Sequence, residues 1–370
     1  MRRTRLAAPP SGAAPSGRRP MIRRRVQELG SRCCLRCGWA HSVPRRRAAP
    51  GRSLDPVDRA RLSAVAGGVL IGTFVGDAAA ARWEGAPAVD LRGARARLDE
   101  SLAAKTLAYT DDTQLTLALA EHLCLEPTVE PQSLTRTFLE HFEEHRGYAR
   151  GMFGIVDAWR RGVDPESAAR SVFPAGSFGN GAAMRVAPVG VIWSGERAVR
   201  AAHRQAALTH AHPVGMDAAA AQALAVARAA ATGAFTLSDL AVVLDGCQTD
   251  PMRAGLARAC EETLARRPLP EVAQVVGTDV LADQSVPAAL WVAATAEDIP
   301  HATLLALALG GDTDTIAAMA CAVLGAAQGG ESVPAAWTVR LEDGPRGRTY
   351  AVELAARLAA VAADVSSGAG

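Results

Sequence analysis

The stretch LSAVAGGVLIGTFVGDAAAARWEG, Leu62 to Gly85, is the part of the sequence that most constrains the fold. Its glycines Gly68, Gly72 and Gly76 recur every fourth residue, so they lie on one helix face, where another helix can approach closely. The uncharged run ends at Asp77 and is shorter than the ~20 residues that cross a bilayer. The stretch therefore predicts a buried helix in a helical core and argues against a membrane span.

Alanine-rich apolar patterns of helical period recur along the rest of the chain. DDTQLTLALAEHL places Leu115, Leu119 and Leu123 at four-residue spacing, and DAAAAQALAVARAAATG is bounded by Asp217 and Gly233, residue types typical of helix ends. MRVAPVGVIW is the best strand candidate, but Pro188 disfavours it because proline cannot donate to a sheet ladder. We therefore expect a single all-α domain over residues 60–365.

Charge is distributed unevenly along the chain. Residues 1–54 hold 14 of the 40 basic residues and one of the 38 acidic residues, a net charge of +13. The remaining residues carry a net charge of −11, so nucleic-acid binding by this part is not expected. The four cysteines after residue 54 lie mostly in apolar stretches, as reduced core thiols do, which favours a cytoplasmic location. Because no long coiled coil is found, we expect a monomer.

The arginine-rich segment 1–54 is also rich in Pro, Gly, Ser and Ala and lacks an apolar period, which predicts a disordered extension. It has no apolar region of the kind found in secretory signals. One alternative to a disordered extension is a transit peptide, and another is upstream sequence that precedes a start at Met21. CCLRCGWAH offers half of a zinc site, formed by Cys33, Cys34, Cys37 and His41. No second half follows at a suitable spacing, so zinc is disfavoured.

Two acidic tetrads stand where a loop meets an apolar helix: TDDT, Thr110 to Thr113, and DTDT, Asp312 to Thr315. Helix capping would explain one such side chain at each junction. Each tetrad instead has two carboxylates and two hydroxyls, and buried carboxylates are costly unless they are paired or bind metal. An all-oxygen ligand set is typical of Mg²⁺ or Mn²⁺. If the tetrads converge in space, they can hold two ions.

Three further features could contribute to a site. Asp77 could cap or hydrogen-bond a helix end, and Glu84 lies in a loop, where a glutamate is usually solvated. The glycines of GSFGNGAAMRVAP expose backbone N–H groups that could hold an anion, and Phe178 could stack on a flat ring; an ordinary glycine turn is the alternative. His210 and His212 read as a pair at a helix C-terminus, favoured there by the helix dipole.

Taken together and in this order, these motifs resemble the ADP-ribosylglycohydrolase family, magnesium-dependent enzymes that remove ADP-ribose from modified proteins. The matching pieces are GDAAAARWEG, YTDDTQLTLALAEHL, RGYARG, GSFGNGAAMRVAP, LTHAHP, QSVPAAL and ALGGDTDTIAAMACAVLGAAQG. TDDT alone would be a weak signal, whereas TDDT, GNGAAMR and GGDTDT at this spacing are specific. The pieces run from about residue 64 to residue 330, essentially the whole core.

The resemblance implies a compact all-α bundle of orthogonally packed helices around a binuclear magnesium cleft. It implies that two Mg²⁺ ions are held by Thr110, Asp111, Asp112, Asp312, Asp314 and Thr315. The residues that it implies for catalysis are Glu84, Asp111, Asp112 and Asp314. Glu84 matches the family's flap glutamate and is the best general acid/base candidate.

The resemblance also implies a substrate-binding set. The loop expected to hold the pyrophosphate and the distal ribose is formed by Gly176, Ser177, Phe178, Gly179 and Asn180. The positions expected on the adenosine side and along the ligand are Gly147, Gly151, His210 and Val280. The chain departs from the family's pattern at Ala80, where a glycine is usual, and at Phe178, where the serine-type branch commonly has tyrosine. The second departure leaves the linkage specificity open.

The expected function is hydrolysis of the bond between C1″ of ADP-ribose and a protein side chain, linked through serine or arginine, or hydrolysis of O-acetyl-ADP-ribose. The wording of the motifs is closest to the branch that acts on serine-linked ADP-ribose and O-acetyl-ADP-ribose. One alternative is a non-catalytic ADP-ribose-binding protein, against which the complete set of candidate ligands argues. The other is a helical metal-dependent phosphohydrolase, which generally uses His–Asp pairs that the tetrads lack.

Overall fold

The computed structural model describes residues 56–367 and shows an all-α fold, as the sequence predicts. The expectations for residues 1–54, including the half zinc site, lie outside the described residues. The helices of the first half are α1 (Pro56–Ala80), α2 (Leu91–Ala103), α3 (Asp111–Leu125), α4 (Pro131–His141), α5 (Arg150–Arg160), α6 (Pro165–Val172), α7 (Gly181–Met184), α8 (Ala187–Ile192) and α9 (Gly195–Ala207). Those of the second half are α10 (Pro213–Thr232), α11 (Leu237–Gly246), α12 (Asp250–Ala265), α13 (Leu269–Val276), α14 (Ala282–Thr295), α15 (Ile299–Leu309), α16 (Thr313–Gln328), α17 (Ala335–Thr338) and α18 (Arg348–Ser367).

The glycine row of α1 packs directly against α16, which confirms the close approach predicted from its spacing. A β-carbon added to Gly68 would lie 2.0 Å from the carbonyl oxygen of Gly325, and one added to Gly76 would lie 2.5 Å from that of Ala317. Gly72 meets the same helix backbone at 2.5 Å. Side chains on this face of α1 would push the two helices apart. The contact places the C-terminus of α1 beside the N-terminus of α16.

The segment Asp58–Trp83, which includes most of α1, is long and apolar enough to cross a bilayer. Within the protein, 83% of its 18-residue apolar window is buried. A central helix in a helical core has the same length and apolar composition, so burial in the core accounts for both properties of this segment. The buried helix predicted from the sequence is therefore confirmed.

MRVAPVGVIW, the strand candidate, forms the two short helices α7 and α8, and Pro188 occupies the first turn of α8. Proline suits that position because its missing N–H would have no partner in a helix's first turn. Over residues 56–367 no extended strand is present, and three isolated backbone bridges connect loops instead: Ala86 with Gly311, Leu107 with Leu341, and Gly179 with Leu281. Two of these bridges fasten loops around the acidic tetrads.

The helix predicted between Asp217 and Gly233 is α10, and it ends as expected, with Gly233 in a left-handed conformation at φ 73°. It begins earlier than predicted, at Pro213, because proline at the first position pre-sets a helical φ. Asp217 is therefore inside the helix. Its carboxylate accepts hydrogen bonds from the backbone N–H groups of Gln248 and Thr249, ahead of α12.

The cysteines of the described part are free, as predicted. Cys247, Cys260 and Cys321 are buried, and Cys124 is partly buried. Burial raises the pKa of the Cys260 thiol to about 12 and so keeps it protonated. These side chains act as small apolar core residues.

Candidate active site

The two tetrads lie at the N-termini of α3 and α16, and the fold brings these helix ends together. Carboxylate oxygens of Asp77, Asp112 and Asp314 all lie within 4.8 Å of one another. Carboxylate oxygens of Glu84, Asp312 and Asp314 form a second group of the same size. Because Asp314 belongs to both groups, the two are adjacent and share a carboxylate.

Asp77 caps α3 from across the chain. It is fully buried in the last turn of α1 and accepts hydrogen bonds from the backbone N–H groups of Thr110 (3.0 Å) and Thr113 (3.1 Å), and from both hydroxyls. The residues at the N-cap positions of α3 and α16, Thr110 and Asp312, make no side-chain capping bond themselves. Capping by the tetrads therefore does not account for their carboxylates.

Asp112 and Asp314 have the environment of cation ligands. Both are buried, and Oδ1 of Asp112 has no hydrogen-bond partner in the described part of the chain. Burial and the nearby charges of Asp77 and Asp314 raise the pKa of Asp112 well above its ordinary value. Burial and the charge of Asp312 do the same for Asp314. Divalent cations would satisfy the free oxygen and neutralise the repulsion, so the residues present fit the predicted metal centre.

Three other predicted ligands surround Asp112. The hydroxyl oxygens of Thr110 and Thr315 lie 3.2 and 3.4 Å from Oδ2 of Asp112, and the proton of the Thr110 hydroxyl is shared with the closer carboxylate of Asp77. Asp111 is partly exposed and lies outside both carboxylate groups, while its N–H donates to the carbonyl of Arg146 at 2.8 Å. Burial and the charge of Asp77 raise the pKa of Asp111 to about 8. Its role as a ligand stays a prediction.

The metal-free protein is expected to lose stability as the pH rises. The folded pKa values of Asp111, Asp112 and Asp314 lie above the ordinary 3.8, so the folded state binds more protons than the unfolded state. The stability that these protonated carboxyls contribute is complete below about pH 4 and is lost as the pH rises through the folded pKa, about 8 for Asp111. In EDTA, the melting temperature should therefore fall above pH 6.5, and Mg²⁺ should restore it.

This pH dependence is measured above about pH 6.5 because buried histidines with lowered pKa values act in the opposite direction below that pH. Asp112→Asn removes one titrating carboxyl from the cluster at nearly constant shape. Its melting temperature in EDTA should depend less on pH than that of the wild type. An equal or steeper dependence would contradict the proposed repulsion.

The segment that carries Glu84 is anchored at both ends. The indole of Trp83 donates hydrogen bonds to helix α2. On the other side, the N–H of Gly85 donates to the carbonyl of Gly311 at 2.8 Å, and the N–H of Gly311 donates to the carbonyl of Ala86 at 2.9 Å. Glu84 itself is exposed, so it faces the mouth of the site while its carboxylate reaches Asp312 and Asp314. Glu84 therefore lies in a loop, as predicted, and close to the tetrad DTDT.

Ala80, which replaces the glycine of the family's pattern, precedes this segment. Its φ of −106° is in a region open to any residue, so the alanine introduces no backbone strain. Its side chain is buried, and its carbonyl accepts a hydrogen bond from the hydroxyl of Thr313 at 3.1 Å. This bond fixes the start of the Glu84 segment to α16.

The GSFGN loop and the tetrad DTDT form one site. The side-chain amide of Asn180 donates to Asp312, and also to the hydroxyl of Ser285 at 2.9 Å. The N–H of Asn180 donates to the carbonyl of Val280 at 3.0 Å, so the predicted residue Val280 lies beside the loop. Ser285 was not predicted as a site residue, although it stands within the motif QSVPAAL that contributed to the resemblance.

Two apolar side chains lie at the rim of this loop. Phe178 is 46% exposed and Val280 is 50% exposed. The ring of Phe178 lies 5.3 Å from the ring of His212, centroid to centroid. Exposed apolar side chains of this kind can stack on a flat ring of a ligand, and such stacking by Phe178 stays a prediction. Ser177 lies next to it and is partly buried.

The interpretation of His210 and His212 as a helix C-terminal pair is wrong for His212, whereas the N–H of His210 donates to the carbonyl of Ala206 in the last turn of α9. Helix α9 ends at Ala207, and His212 is instead the N-cap of α10, where its ring accepts a hydrogen bond from the N–H of Val214 at 3.2 Å. His210 lies against the GSFGN loop. A β-carbon added to Gly181 would be 2.7 Å from its ring.

Three of the remaining predicted glycines, Gly147, Gly151 and Gly176, stand where a side chain would not fit or where φ is positive. Gly147 has φ 88° and lies beside Asp111. A β-carbon on Gly151 would lie 2.4 Å from the ring of Phe173, and one on Gly176 would lie 2.2 Å from a backbone nitrogen. Gly179 lies over His210, with a β-carbon position 3.5 Å from the ring. Of the predicted substrate-binding positions, Asn180 contacts the carboxylate of Asp312 and Gly147 lies beside Asp111; binding of substrate at all of them stays a prediction.

Two residues that sequence analysis missed support the start of α3. The guanidinium of Arg146 donates to the carbonyl of Tyr109 at 3.0 Å and pairs with Glu342. Glu342 also accepts a hydrogen bond from the N–H of Tyr109 at 3.2 Å. Arg146 stands in the motif RGYARG, which could have indicated it. No local pattern marks Glu342, because its role depends on a contact between distant parts of the chain.

Comparison with known proteins agrees with this architecture. A sequence model of the ADP-ribosylglycohydrolase family matches residues 58–367. A solved structure, titled ADP-ribosylglycohydrolase-related protein complex, superposes with a TM-score of 0.62 and covers 82% of this chain and 99% of its own. At 24% identity, this likeness shows the fold alone.

Named relatives are ADP-ribosylhydrolase ARH3 proteins, in agreement with the branch expected from the motifs. The protein from Bos taurus is 30% identical over 323 residues, which cover 73% of this chain and 86% of the relative. That from Gallus gallus is 31% identical over 343 residues, 79% of this chain and 91% of the relative. The chain therefore belongs to the ADP-ribosylglycohydrolase family and is a glycohydrolase.

Proposed function

We propose that this glycohydrolase removes ADP-ribose from proteins modified on serine or arginine, or hydrolyses O-acetyl-ADP-ribose, with two Mg²⁺ ions as cofactors, for which Mn²⁺ can substitute. The observation that carries the proposal is the pair of carboxylate groups that share Asp314. Relatives named ADP-ribosylhydrolase support the substrate class. An all-oxygen set with raised carboxyl pKa values supports hard divalent cations over zinc.

The residues that would hold the cations come from the two carboxylate groups. Glu84, Asp112, Asp312 and Asp314 are the principal candidates, and the hydroxyls of Thr110 and Thr315 lie close to Asp112. Asp77 already accepts hydrogen bonds from two threonines and their N–H groups, so we assign it to positioning α3. When bound, divalent cations supply Lewis acidity that stabilises negative charge on oxygen atoms in the site.

The chain's own residues supply orientation and proton transfer. Asn180 holds the carboxylate of Asp312 in place and connects it to the GSFGN loop. Within this loop, the N–H groups of Gly176, Gly179 and Asn180 already have partners, so the N–H groups of Ser177 and Phe178 are the ones that would bind a pyrophosphate. Hydrolysis breaks the bond between C1″ and the side-chain atom, and water adds its oxygen to C1″. We assign the proton transfer to Glu84, the exposed member of its carboxylate group, which would accept a proton from this water or donate one to the leaving side chain.

Release of ADP-ribose from defined peptides tests this function. Two peptides, one modified on serine and one on arginine, are incubated with the full-length protein in Mg²⁺ or in EDTA, and products are identified by mass spectrometry. Free ADP-ribose is expected from at least one peptide in Mg²⁺ and not in EDTA. O-acetyl-ADP-ribose serves as the third substrate.

The products also separate the alternatives. Release of phosphate without ADP-ribose would indicate the phosphohydrolase. Binding of ADP-ribose with no turnover of any of the three substrates would indicate the binding protein. Release that is equally fast in EDTA would contradict the dependence on divalent cations.

A further inference from the structure

The ring of His210 has one engaged and one free nitrogen. Nδ1 lies 2.7 Å from the hydroxyl oxygen of Thr209. Nε2 has no hydrogen-bond partner among the described residues, and it lies 3.0 Å from the position that a β-carbon on Gly181 would take. The free nitrogen thus lies beside the glycine-rich loop GSFGNG. The nitrogen that carries the ring proton decides whether Nε2 faces the loop as a hydrogen-bond donor or as an acceptor.

Arg185 lies on the far side of Thr209 and is completely buried. Its guanidinium donates to the hydroxyl oxygen of Thr209 at 2.8 Å, and to the side-chain and backbone oxygens of Gln205. A guanidinium can only donate, so the oxygen of Thr209 must accept this bond. Thr209 is 1% exposed, and its own hydroxyl proton therefore needs an acceptor inside the protein.

Nδ1 of His210 is the acceptor that the structure offers to the hydroxyl of Thr209. If Nδ1 carried a proton instead, the hydroxyl proton of Thr209 would be left without an acceptor among the described residues. In the arrangement that satisfies all three groups, the guanidinium of Arg185 donates to the hydroxyl oxygen of Thr209, and the hydroxyl of Thr209 donates to Nδ1 of His210. The neutral ring then carries its proton on Nε2.

We propose that Arg185 and Thr209 are positioning residues that hold His210 as the neutral Nε2–H tautomer, so that Nε2 donates a hydrogen bond to an acceptor oxygen of ADP-ribose bound at the GSFGN loop. The identity of the acceptor rests on the proposed function, whereas the tautomer does not. Burial and the nearby charge of Arg185 lower the pKa of His210 to about 3, in keeping with a neutral ring. The same protein groups thus set both the charge and the tautomer.

The tautomer is measured directly by long-range ¹H–¹⁵N NMR of the full-length protein labelled on histidine. The chain has eight histidines, so His210→Gln identifies the signals of His210. In the ligand-free wild type, we expect Nδ1 to show the shift of an unprotonated nitrogen and Nε2 that of a protonated one. A protonated Nδ1 would overturn the proposal whether or not ADP-ribose is the substrate.

Thr209→Val and Thr209→Ser form a matched pair, because valine keeps the shape and removes the hydroxyl while serine keeps the hydroxyl. Thr209→Val should populate the Nδ1–H tautomer and raise the Kd for ADP-ribose about tenfold, and Thr209→Ser should retain wild-type values of both. A Thr209→Val protein with an unchanged tautomer would refute the role of Thr209. If the wild type does not bind ADP-ribose, the proposed function fails, and the tautomer in Thr209→Val still decides this inference.

Discussion

Asp314→Asn is expected to lower kcat/KM for release of ADP-ribose by a factor of about 10³ or more. Asp314 is the carboxylate common to both groups, so its loss removes a ligand from both candidate cation positions. The loss corresponds to on the order of 4 kcal/mol of transition-state stabilisation. The variant should also bind Mg²⁺ more weakly, which isothermal titration calorimetry measures.

Loss of activity in Asp314→Asn should not reflect unfolding. The substitution removes one of several mutually repelling carboxyls, so the metal-free variant should be at least as stable as the metal-free wild type. Asp298→Asn is the control: Asp298 caps α15 through the N–H of His301, and asparagine caps helices equally well. An Asp314→Asn rate within about threefold of wild type would refute the assignment.

Gly68→Ala is expected to destabilise the fold by about 4 kcal/mol or more, at the upper end of single-residue effects. The new methyl group would lie 2.0 Å from the carbonyl oxygen of Gly325, and backbone atoms cannot move aside as a flexible side chain can. Relief requires that α1 and α16 separate. Urea unfolding followed by far-UV circular dichroism measures the change in free energy of unfolding.

Gly67→Ala provides the matched control one residue away. A β-carbon on Gly67 meets nothing within 4 Å, and alanine is favoured over glycine inside a helix by roughly 0.5–1 kcal/mol. This variant should therefore be slightly more stable than the wild type. Equal effects of the two substitutions would show that the contact between α1 and α16 does not limit the stability of the fold.

The position of each tetrad at a helix N-terminus could be predicted because it depends on residues next to one another in the chain. Their meeting could not, since Asp112 and Thr315 are 203 residues apart and no local pattern records which helix ends become neighbours. The resemblance to a family supplied that expectation instead. The resemblance also implies Asp111 as a ligand, which stays a prediction, and the structure brings Asp77 and Asp112 together with Asp314.

The assignment of Asp77 shows a similar division. The sequence allowed it to cap a helix, and only the structure shows that the helix is α3 and that both threonines flanking the aspartates of TDDT are bound to it. Glu342 supports the same helix start from near the other end of the chain. Neither contact is encoded by spacing, since hydrogen-bond partners of buried carboxylates are set by which helices pack together.

The sequence by itself determined the all-α class, the glycine face of α1 and the residue types of the site, because helical period, glycine spacing and side-chain chemistry are local properties. The tertiary structure decided which carboxylates share a centre, which of them are already satisfied by hydrogen bonds, and which nitrogen of His210 is free. These depend on burial and on contacts between distant segments. The close approach of α1 and α16 connects the two levels, because the glycine row permits the contact that brings Asp77 and Asp314 together.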